Sequence, residues 1–392
     1  MIDMIVLYSL LFFIGLIILE SVGTLKNIYT KKILVILISV LLIAWLDIFS
    51  LLLLTVYSTF IVYVIKQKKK WFDNILYFVI FNILLLIFIK DYYLFFDLKT
   101  IYVPLGVSYY FFRLIALVIE YRKHKSHYED MPLLDYYTYV FFFPIFPAGP
   151  IQRFRDFYIL ENSLSLEERQ KTYLLLFFVI FLKLAVVDTL LYPFAYDTMY
   201  HAVIHDLKSH TIDDKIFLFG FSAFIHAYLD LMLYTEISKA LALILGFTKC
   251  ENFNRPLLAT NISQFWQSWH MSLSNWTRDY VFFPTLIKTK KVWISTYASM
   301  LVIGIWHSIS FNWIFWAFMH GSALNFYLWL RNTILFKTLT KYKVSRIFLL
   351  ISGNIFTIAF VSSVFIIVAI HDKDVMLQLG QTIWHLIKLT LL

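Results

Sequence analysis

Long apolar runs, separated by short polar and basic segments, recur along the whole chain. A helix needs about 20 apolar residues to cross a bilayer, and only helices or closed barrels satisfy their backbone hydrogen bonds there. The pattern therefore predicts an all-α polytopic membrane protein with about eleven transmembrane helices. The predicted spans and half-spans are Ile5–Leu19, Ile33–Ala44, Ile48–Ile65, Trp71–Ile89, Ile101–Tyr121, Thr172–Tyr192, Ile216–Phe247, Val292–Ile305, Trp313–Arg331, Ile347–Ile370 and Met376–Leu392.

The segments between the spans indicate the orientation of the chain. Lysine and arginine cluster in alternate segments, such as Lys26–Lys32 and Lys66–Lys70, which the positive-inside rule assigns to the cytoplasm. We predict that Lys90–Lys99 and Asp197–Lys215 are loops on the outer side, and that Asp47 marks a tight turn. Together these assignments predict a multi-pass protein of the cell membrane (plasma or inner membrane) with its N-terminus outside.

The segment Tyr139–Ile151 is apolar but too short to span. Pro144, Pro147 and Pro150 would interrupt a helix that faces lipid. Irregular backbone at membrane depth is tolerated only where protein or a cavity surrounds it. We therefore predict a re-entrant segment that lines a site.

The composition fits this class and narrows the chemistry. The 392 residues are 60% hydrophobic, 20% aromatic and 15% charged, against about 25% charged in soluble domains. Basic loops account for the net charge of +9, so we predict no nucleic-acid partner. The lone cysteine, Cys250, excludes intrachain disulfides and cysteine-based zinc sites. We expect one integral membrane domain, with N-terminal helices (1–100), a core carrying the candidate chemistry (101–331) and C-terminal helices (332–392).

The strongest candidate for chemistry is His320, in the middle of the apolar stretch Gly304–Tyr327. In a helix from Trp313 to Trp329, Trp316 lies one turn before His320 on the same face. An ionisable residue inside a membrane is a functional candidate by default, although a structural histidine bonded to a carbonyl is the simpler alternative. We expect the dry aromatic surroundings to keep the imidazole neutral near pH 7.

A second informative stretch is Glu251–Pro284. Asn261 or Ser263 can cap a helix there. An aromatic and aliphatic stripe then predicts one amphipathic helix at the membrane interface, with His270 beside the stripe and Arg278–Asp279 at its end. The stripe consists of Phe265, Trp269, Leu273, Trp276 and Tyr280.

Several motifs, in order and over about Pro104 to Tyr327, resemble the membrane-bound O-acyltransferase (MBOAT) family in its prokaryotic branch. The resemblance implies a helical funnel through the membrane, in which an acyl donor enters from the cytoplasm and an acceptor from outside. The motifs are PLGVSYYFF (Pro104–Phe112), FPAGPIQRF (Phe146–Phe154), YTEISKALALILGF (Tyr234–Phe247), NFNRP (Asn252–Pro256), FWQSWHMSLSNWTRDY (Phe265–Tyr280), GIWHS (Gly304–Ser308) and WAFMHG (Trp316–Gly321).

The resemblance also implies roles for individual residues. His320 takes the position of the family's catalytic histidine and His270 that of a second conserved histidine. A neutral imidazole can deprotonate a hydroxyl that attacks an acyl thioester, which is worth about 10²–10⁴-fold. We predict His320 as the base and His270 as a residue that orients substrate or binds its carbonyl. The substrate channel is predicted to include Trp269, Trp276, Trp316, Asn254, Arg278, Asp279 and His307, although a structural role is favoured for His307.

Two branches of the family remain open. Glu236 is typical of relatives like the alginate O-acetyltransferase membrane subunit, whereas the short chain and VFFPTLIKTKK (Val281–Lys291) resemble the D-alanyl transfer protein of teichoic acids. Ser308 replaces the glycine usual after Trp-His. We favour acetyl transfer to an extracytoplasmic polysaccharide.

The partners follow from either branch. We expect no permanently bound cofactor and no metal. The donor is an acetyl-CoA or acyl carrier protein phosphopantetheine thioester that arrives from the cytoplasm. Expected partners are membrane lipids, the polysaccharide acceptor, and an acyl carrier protein or an extracytoplasmic acyltransferase.

Other polar residues have simpler interpretations. His226 and Asp230 are spaced i, i+4 and could form a proton relay, but a satisfied intramembrane pair is favoured. His201, His205 and Asp206 have helical metal spacing, but exposed loops often carry such residues, so metal binding is disfavoured. His270 is equally compatible with a histidine hydrated among lipid headgroups.

Two other functions fit the same spans. A transporter or flippase for a polysaccharide or lipid-linked substrate would use the re-entrant prolines. The absence of paired intramembrane charges and of inverted repeats disfavours it. A scaffold that docks a soluble acyltransferase is the third possibility.

Overall fold

The structure is a computed structural model that describes residues 15–66, 75–96, 106–124, 128, 131–146, 148–160, 164–208 and 215–370. The described residues contain helices and turns, one isolated antiparallel bridge between Ile159 and Phe247, and no strand. Residues 15–23 are helical. The helices that follow are α1 Ile28–Leu46, α2 Ile48–Lys66, α3 Ile75–Phe96, α4 Val107–Lys123, α5 Leu133–Val140, α6 Leu166–Phe181, α7 Tyr200–Lys208, α8 Lys215–Ile244, α9 Ile262–Ser268, α10 Met271–Thr277, α11 Phe283–Thr289, α12 Val292–His307, α13 Phe311–Leu330, α14 Ile334–Leu339 and α15 Lys343–Ala369.

The chain divides into two compact units. The first comprises Met1–Val179 with Tyr234–Glu251, and the second Ile180–Leu233 with Asn252–Leu392. Each unit combines segments that are separated in sequence, so no single linker divides the chain into these two units. The predicted boundaries at 100 and 331 remain a prediction.

The turn predicted at Asp47 lies in the first unit and is confirmed. Asp47 separates α1 from α2, and its carboxylate accepts hydrogen bonds from the backbone N–H groups of Phe49 (3.1 Å) and Ser50 (3.3 Å). These bonds satisfy donors that the first turn of a helix leaves open. One polar residue between two apolar runs thus ends one helix and caps the next.

The predicted re-entrant segment also belongs to the first unit. It begins with the last two residues of α5 and continues as a single 3-10 turn at Phe143–Ile145 and irregular backbone, with Pro144 and Pro150 buried. The buried Arg113 side chain of α4 holds it: one guanidinium nitrogen donates to the Tyr139 carbonyl at 2.7 Å, and the group lies 3.8 Å over the Tyr139 ring. The irregular backbone is buried in protein, as expected. That it lines the site remains a prediction, and Pro147 is outside the described residues.

Two predicted outer loops are helical over the residues that the structure describes, so both predictions are wrong there, whereas residues 97–99 and 209–214 lie outside the described residues. α3 continues to Phe96, through most of Lys90–Lys99. The helix that begins at Leu166 continues through wider turns with i→i+5 hydrogen bonds over Leu182–Leu191 and Pro193–Met199, and then through α7.

Packing explains the second of these errors. Polar residues suggested a loop at Asp197–Lys215, but the apolar ones between them pack against a core cluster that includes Phe219 and Ile370. Met199, Tyr200 and Val203 are among these residues. Burial of their side chains stabilises helix in a sequence whose polar residues alone resemble a loop.

The predicted hairpin that carries His320 is confirmed as α12 and α13 in the second unit. The two backbones approach closely at Gly304, where a Cβ atom would lie 2.6 Å from the Trp313 carbonyl oxygen and 2.9 Å from Cβ of Ala317. Only glycine fits there without moving a helix.

Five helical segments within the described part are long and apolar enough to cross a membrane, and α12 is a shorter apolar helix. These helices agree with an all-helical membrane protein, whereas the count of eleven spans remains a prediction. Part of the first predicted span, and all of Met376–Leu392, fall outside the described residues. The five segments are Ile28–Leu46, Ile48–Ile65, Leu166–His205, Lys215–Ile244 and Ile347–Ala369.

Candidate active site

The stretch predicted as one interfacial helix is broken at its centre. Asn261 caps α9 as expected, accepting the Gln264 N–H at 2.9 Å. The helix then ends at Ser268, and His270 has a left-handed backbone (φ 41°, ψ 54°) before α10 begins. The prediction of a continuous amphipathic helix is therefore wrong.

Hydrogen bonds to residues 252–254, which lie outside any helix, explain the break. The Asn252 carbonyl oxygen accepts the Met271 N–H at 2.8 Å, and the Asn254 N–H donates to the Ser268 carbonyl at 2.9 Å. These bonds replace helical ones, so residues 252–254 bind the kink. The sequence alone offers no way to see this pairing.

His320 lies where the sequence predicts, inside α13, and is 1% exposed. Its Nδ1 accepts a hydrogen bond from the indole N–H of Trp266 at 3.3 Å. Rings of Trp316, Trp266 and Phe360 surround it, with centroids at 4.4, 5.3 and 5.3 Å. Trp316 is the neighbour that helical spacing predicts, whereas Trp266 was missed because it lies one position away from the predicted stripe.

His270 is also buried, at 3% exposed. Its Nδ1 lies 3.1 Å from Oδ1 of Asn252, the same atom that accepts from the Ser272 backbone N–H (3.1 Å) and hydroxyl (2.9 Å). Burial lowers the pKa of His270 to about 3. The alternative of a hydrated histidine among headgroups is therefore wrong, because the kink turns the ring into the protein.

Ring contacts connect the two histidines through His307. The rings of His270 and Trp306 are 6.0 Å apart, and those of Trp306 and His307 are 4.3 Å apart. His307 lies 6.3 Å from Trp316, which contacts His320. All three histidines predicted from sequence thus share one aromatic cluster.

Within this cluster His307 has a structural contact. Its ring stacks on Trp313 at 3.9 Å with an interplanar angle of 7°. This contact ties the end of α12 to the first turns of α13. It agrees with the structural role favoured for His307.

The remaining predicted channel residues lie in different surroundings. Trp269 stacks on Phe224 and Phe265, at 5.4 and 5.3 Å. Trp276 is 1% exposed and packs against Tyr280, which is the position of a core side chain. These contacts leave the channel role of both tryptophans a prediction.

The polar channel candidates are nearer the surface. Asn254 is exposed. Arg278 is exposed and its Nε donates to the Asp279 carboxylate at 2.8 Å. Arg278 also lines a cavity beside the aromatic cluster. The backbone N–H of Asn254 is bonded to the Ser268 carbonyl, which fixes the position of Asn254.

A cavity of about 290 Å³ opens beside this cluster. Trp266 lines this cavity and also donates a hydrogen bond to His320, so one indole contacts both. The surface that the walls expose to the cavity is mostly apolar, although eight of the fifteen lining residues are polar, and this mixture suits an acyl chain with a polar head. The polar lining residues are Ser263, Gln267, Ser274, Asn275, Thr277, Arg278, Thr296 and Ser299.

The intramembrane charges differ from the prediction. Lys183 forms ion pairs with Asp188 and, at 2.9 Å, with Asp230, whereas the His226 ring packs against Tyr192 and Tyr196. Paired charges therefore occur in the long apolar helices, contrary to expectation. The sequence predicted His226 as the partner of Asp230. It did not indicate Lys183 as the partner, because Lys183 is distant in sequence.

Among the residues that the structure describes, no three histidine, cysteine, aspartate or glutamate side chains are grouped to hold a metal ion. The loop histidines His201 and His205 lie on α7. The buried histidines of the aromatic cluster are His270 and His320.

The fold and site define an all-helical membrane protein with one buried histidine at the kink between α9 and α10 and a second buried histidine on α13. The family model of MBOAT, the membrane-bound O-acyltransferase family, matches residues 35–369. The chain belongs to this family, which confirms the resemblance and the assignment to an acyltransferase family.

Curated relatives of both expected branches are similar to the chain. The probable alginate O-acetylase AlgI of Pseudomonas putida is 31% identical over 241 residues, covering 58% of this chain and 46% of that protein. The teichoic acid D-alanyltransferase of Bacillus subtilis is 29% identical over 238 residues (57% and 58%). The peptidoglycan O-acetyltransferase of Helicobacter pylori is 28% identical over 205 residues (49% and 37%). The chain thus matches about half the length of these relatives.

Proposed function

We propose that this protein transfers an acyl group from a thioester to a hydroxyl of an extracytoplasmic polysaccharide or other cell-envelope polymer. The observation that carries the proposal is the pair of buried histidines, His270 and His320, in one aromatic cluster beside a cavity. Each has its Nε2 buried and without a hydrogen-bond partner among the described residues. Buried polar atoms are almost always bonded, so these two are available for substrate.

Acyl transfer requires two catalytic groups from the protein. One group removes the proton of the attacking hydroxyl, and a second stabilises the negative charge that develops on the thioester carbonyl oxygen. Two imidazoles provide both. By motif alone the base is His320 and the group at the carbonyl is His270.

Acetyl is the favoured acyl group. Relatives named alginate O-acetylase and peptidoglycan O-acetyltransferase support it. Relatives named teichoic acid D-alanyltransferase support the alternative of D-alanyl transfer. Acetyl-CoA or a carrier-protein phosphopantetheine thioester is the corresponding donor.

The membrane setting completes the proposal. The donor enters from the cytoplasm, and an extracytoplasmic acyltransferase or an acyl carrier protein is the partner. The chain lies in the cell membrane with its N-terminus outside, as the loop charges favour.

The test is the set of acids that mild alkali releases from the envelope of a native host, identified by mass spectrometry. Cells expressing the wild type are compared with cells expressing His320→Ala, and with His201→Ala, an exposed histidine of α7, as the matched control. Acetate that depends on the wild type and on His320, but not on His201, is the expected result. D-alanine instead would change the acyl group, and no difference in any ester would refute the enzyme.

A transporter is the second candidate, because Lys183, Asp188 and Asp230 place paired charges in long apolar helices. Such charges mark ion or substrate pathways in many membrane proteins. A transporter would move the polymer across the membrane without forming a new ester. Substitution of Lys183 by Met would then abolish movement, whereas the acyltransferase would retain ester formation in a folded variant.

A further inference from the structure

A separate cavity of about 640 Å³ lies between α8 and α15 in the second unit. Its wall on α8 consists of Phe217, Phe221 and Ile225, which lie on one face of the helix because they are four residues apart. Both helices contain segments long and apolar enough to cross a membrane, and Phe217 is 60% exposed. The cavity therefore borders the hydrocarbon of the bilayer.

The opposite wall belongs to α15 and ends at Asn354. The amide nitrogen of Asn354 donates to the carbonyls of Leu257 and Ala259, both at 2.9 Å, and these bonds hold Leu257 at this end of the cavity. Both amide hydrogens are thereby used, so Asn354 has none left for an occupant. The other residues of this wall are Ile355, Ile358, Ala359, Ser362 and Ser363.

Ser362 is the unusual polar group of the cavity. It is 6% exposed, and its hydroxyl has no hydrogen-bond partner among the described residues. A serine or threonine in a helix can donate to the carbonyl four residues earlier. Ser352 and Thr357 on the same helix do so, at 2.7 and 2.6 Å. An unpaired hydroxyl in hydrocarbon is unfavourable, so the Ser362 hydroxyl is available to a polar atom inside the cavity.

A close contact between the two helices holds Ser362 in place. At Gly220 of α8, a Cβ atom would lie 2.6 Å from the Ser362 carbonyl oxygen and 2.5 Å from Cγ1 of Ile366. Neither helix can shift past the other there without a clash. The hydroxyl is therefore presented by a rigid part of the fold, next to the cavity.

We propose that this cavity binds one acyl chain of a bilayer glycerolipid and that the Ser362 hydroxyl donates a hydrogen bond to the ester carbonyl of that chain. The apolar walls match the hydrocarbon, and the ester carbonyl is the acceptor adjoining it. The volume is within the range of about 300–1,000 Å³ that is usual for ligand sites. None of the described lining residues is charged, so the site recognises the ester and the chain, not the headgroup.

The position of Ser362 along α15 orients the lipid. Ser362 lies seven residues before Ala369, which is about 10 Å from the C-terminal end of the helix. Asn354 lies eight residues further back, or about 12 Å. The lipid therefore comes from the leaflet on the side of Ala369, with its chain directed from Ser362 towards Asn354 and Leu257.

Two lipids separate the ester carbonyl from the rest of the molecule. Dioleoyl phosphatidylglycerol carries two ester carbonyls, whereas the diether with the same headgroup and chain length carries none. The purified protein in detergent, stripped of lipid, is titrated with each lipid, and native mass spectrometry measures the bound molecules. We expect the wild type to bind the diester about tenfold more tightly, which is the usual gain from one hydrogen bond.

Three variants locate this preference. Ser362→Ala should bind the diester and the diether equally, because the hydroxyl is gone. Ser352→Ala is the matched control on the same helix, and it should keep the tenfold preference because its hydroxyl is already bonded to the Phe348 carbonyl. Ala359→Phe, at an exposed position of the wall, should fill the cavity and lose the preference while retaining the wild-type melting temperature.

Equal binding of both lipids by the wild type, or a preference that persists in Ser362→Ala or in Ala359→Phe, would overturn the proposal. A transmembrane helix of a partner protein is the other occupant that such a cavity admits. Its sign would be a wild type without preference, together with a polypeptide that crosslinks in native membranes to Ala359→Cys in a Cys250→Ser background. None of these measurements uses ester formation, so they are independent of the proposed acyl transfer.

Discussion

The indole N–H of Trp266 donates to Nδ1 of His320 across 3.3 Å, with both side chains buried. Trp266 belongs to α9, before the kink at His270, and His320 belongs to α13. This hydrogen bond links the kinked segment to the helix that carries the second histidine. It sets the orientation and the tautomer of the His320 ring.

Trp266→Phe tests this relationship. Phenylalanine keeps an aromatic ring against His320 but removes the N–H that donates to Nδ1, so the imidazole can rotate and change tautomer. We expect ester formation to fall about tenfold, consistent with the loss of a bond of about 1.4 kcal/mol. The measurement is the rate of ester formation in membranes with equal amounts of protein.

Trp293→Phe is the control for that variant, because Trp293 is 54% exposed on α12. It should retain the wild-type rate. Equal rates in both variants would mean that the indole bond has no part in the reaction.

Gly304→Ala tests the contact between α12 and α13. The new Cβ would lie 2.6 Å from the Trp313 carbonyl oxygen, a backbone atom that cannot move without its helix. We expect a destabilisation of about 1–3 kcal/mol and loss of activity, because α13 carries His320. Thermal unfolding in detergent and ester formation measure the two effects.

Gly15→Ala is the matched control, since a Cβ there would meet no described atom within 4 Å. This residue is also helical, and the change should leave the melting temperature unchanged or slightly higher. A Gly304→Ala protein as stable as Gly15→Ala would contradict the close approach of the two helices.

The burial of His270 predicts that the free energy of unfolding decreases as the pH is lowered. Burial lowers its pKa to about 3, whereas an unfolded histidine has a value of about 6.5. Between these values the unfolded chain binds a proton that the native chain does not, so stability falls as pH decreases. From pH 7.5 to 5.0 this one group should contribute a loss of about 2 kcal/mol.

Melting temperatures of the wild type and of His270→Gln between pH 7.5 and 5.0 measure this contribution. The decrease should be larger in the wild type, because glutamine does not titrate. Parallel curves would show that His270 is not buried in its neutral form.

Cys250 predicts slow thiol labelling of the folded protein. Burial raises the pKa of its thiol to about 12, and the thiolate is the reactive form. We expect a maleimide to label Cys250 much more slowly at pH 7.5 than after unfolding in SDS. Lys288→Cys in a Cys250→Ser background gives an exposed thiol for comparison, and similar rates for the two would refute the prediction.

The pattern along the chain predicts much of the fold because apolar runs and their interruptions act locally. The turn at Asp47, the hairpin of α12 and α13, and Asn261 as a cap depend only on residues a few positions apart. The predicted loop at Asp197–Lys215 failed because side chains that are distant in sequence, including Phe219, stabilise helix there.

The sequence by itself determined an all-helical membrane protein, its family and its candidate histidines, because hydropathy, spacing and motif are properties of the chain. Only the tertiary structure decided which groups surround and bind those histidines. The kink at His270 arises from bonds to Asn252, and the tautomer of His320 from Trp266, a residue 54 positions away. A hydrogen bond between distant residues leaves no periodic trace in the sequence, yet it determines which nitrogen of an imidazole carries the proton.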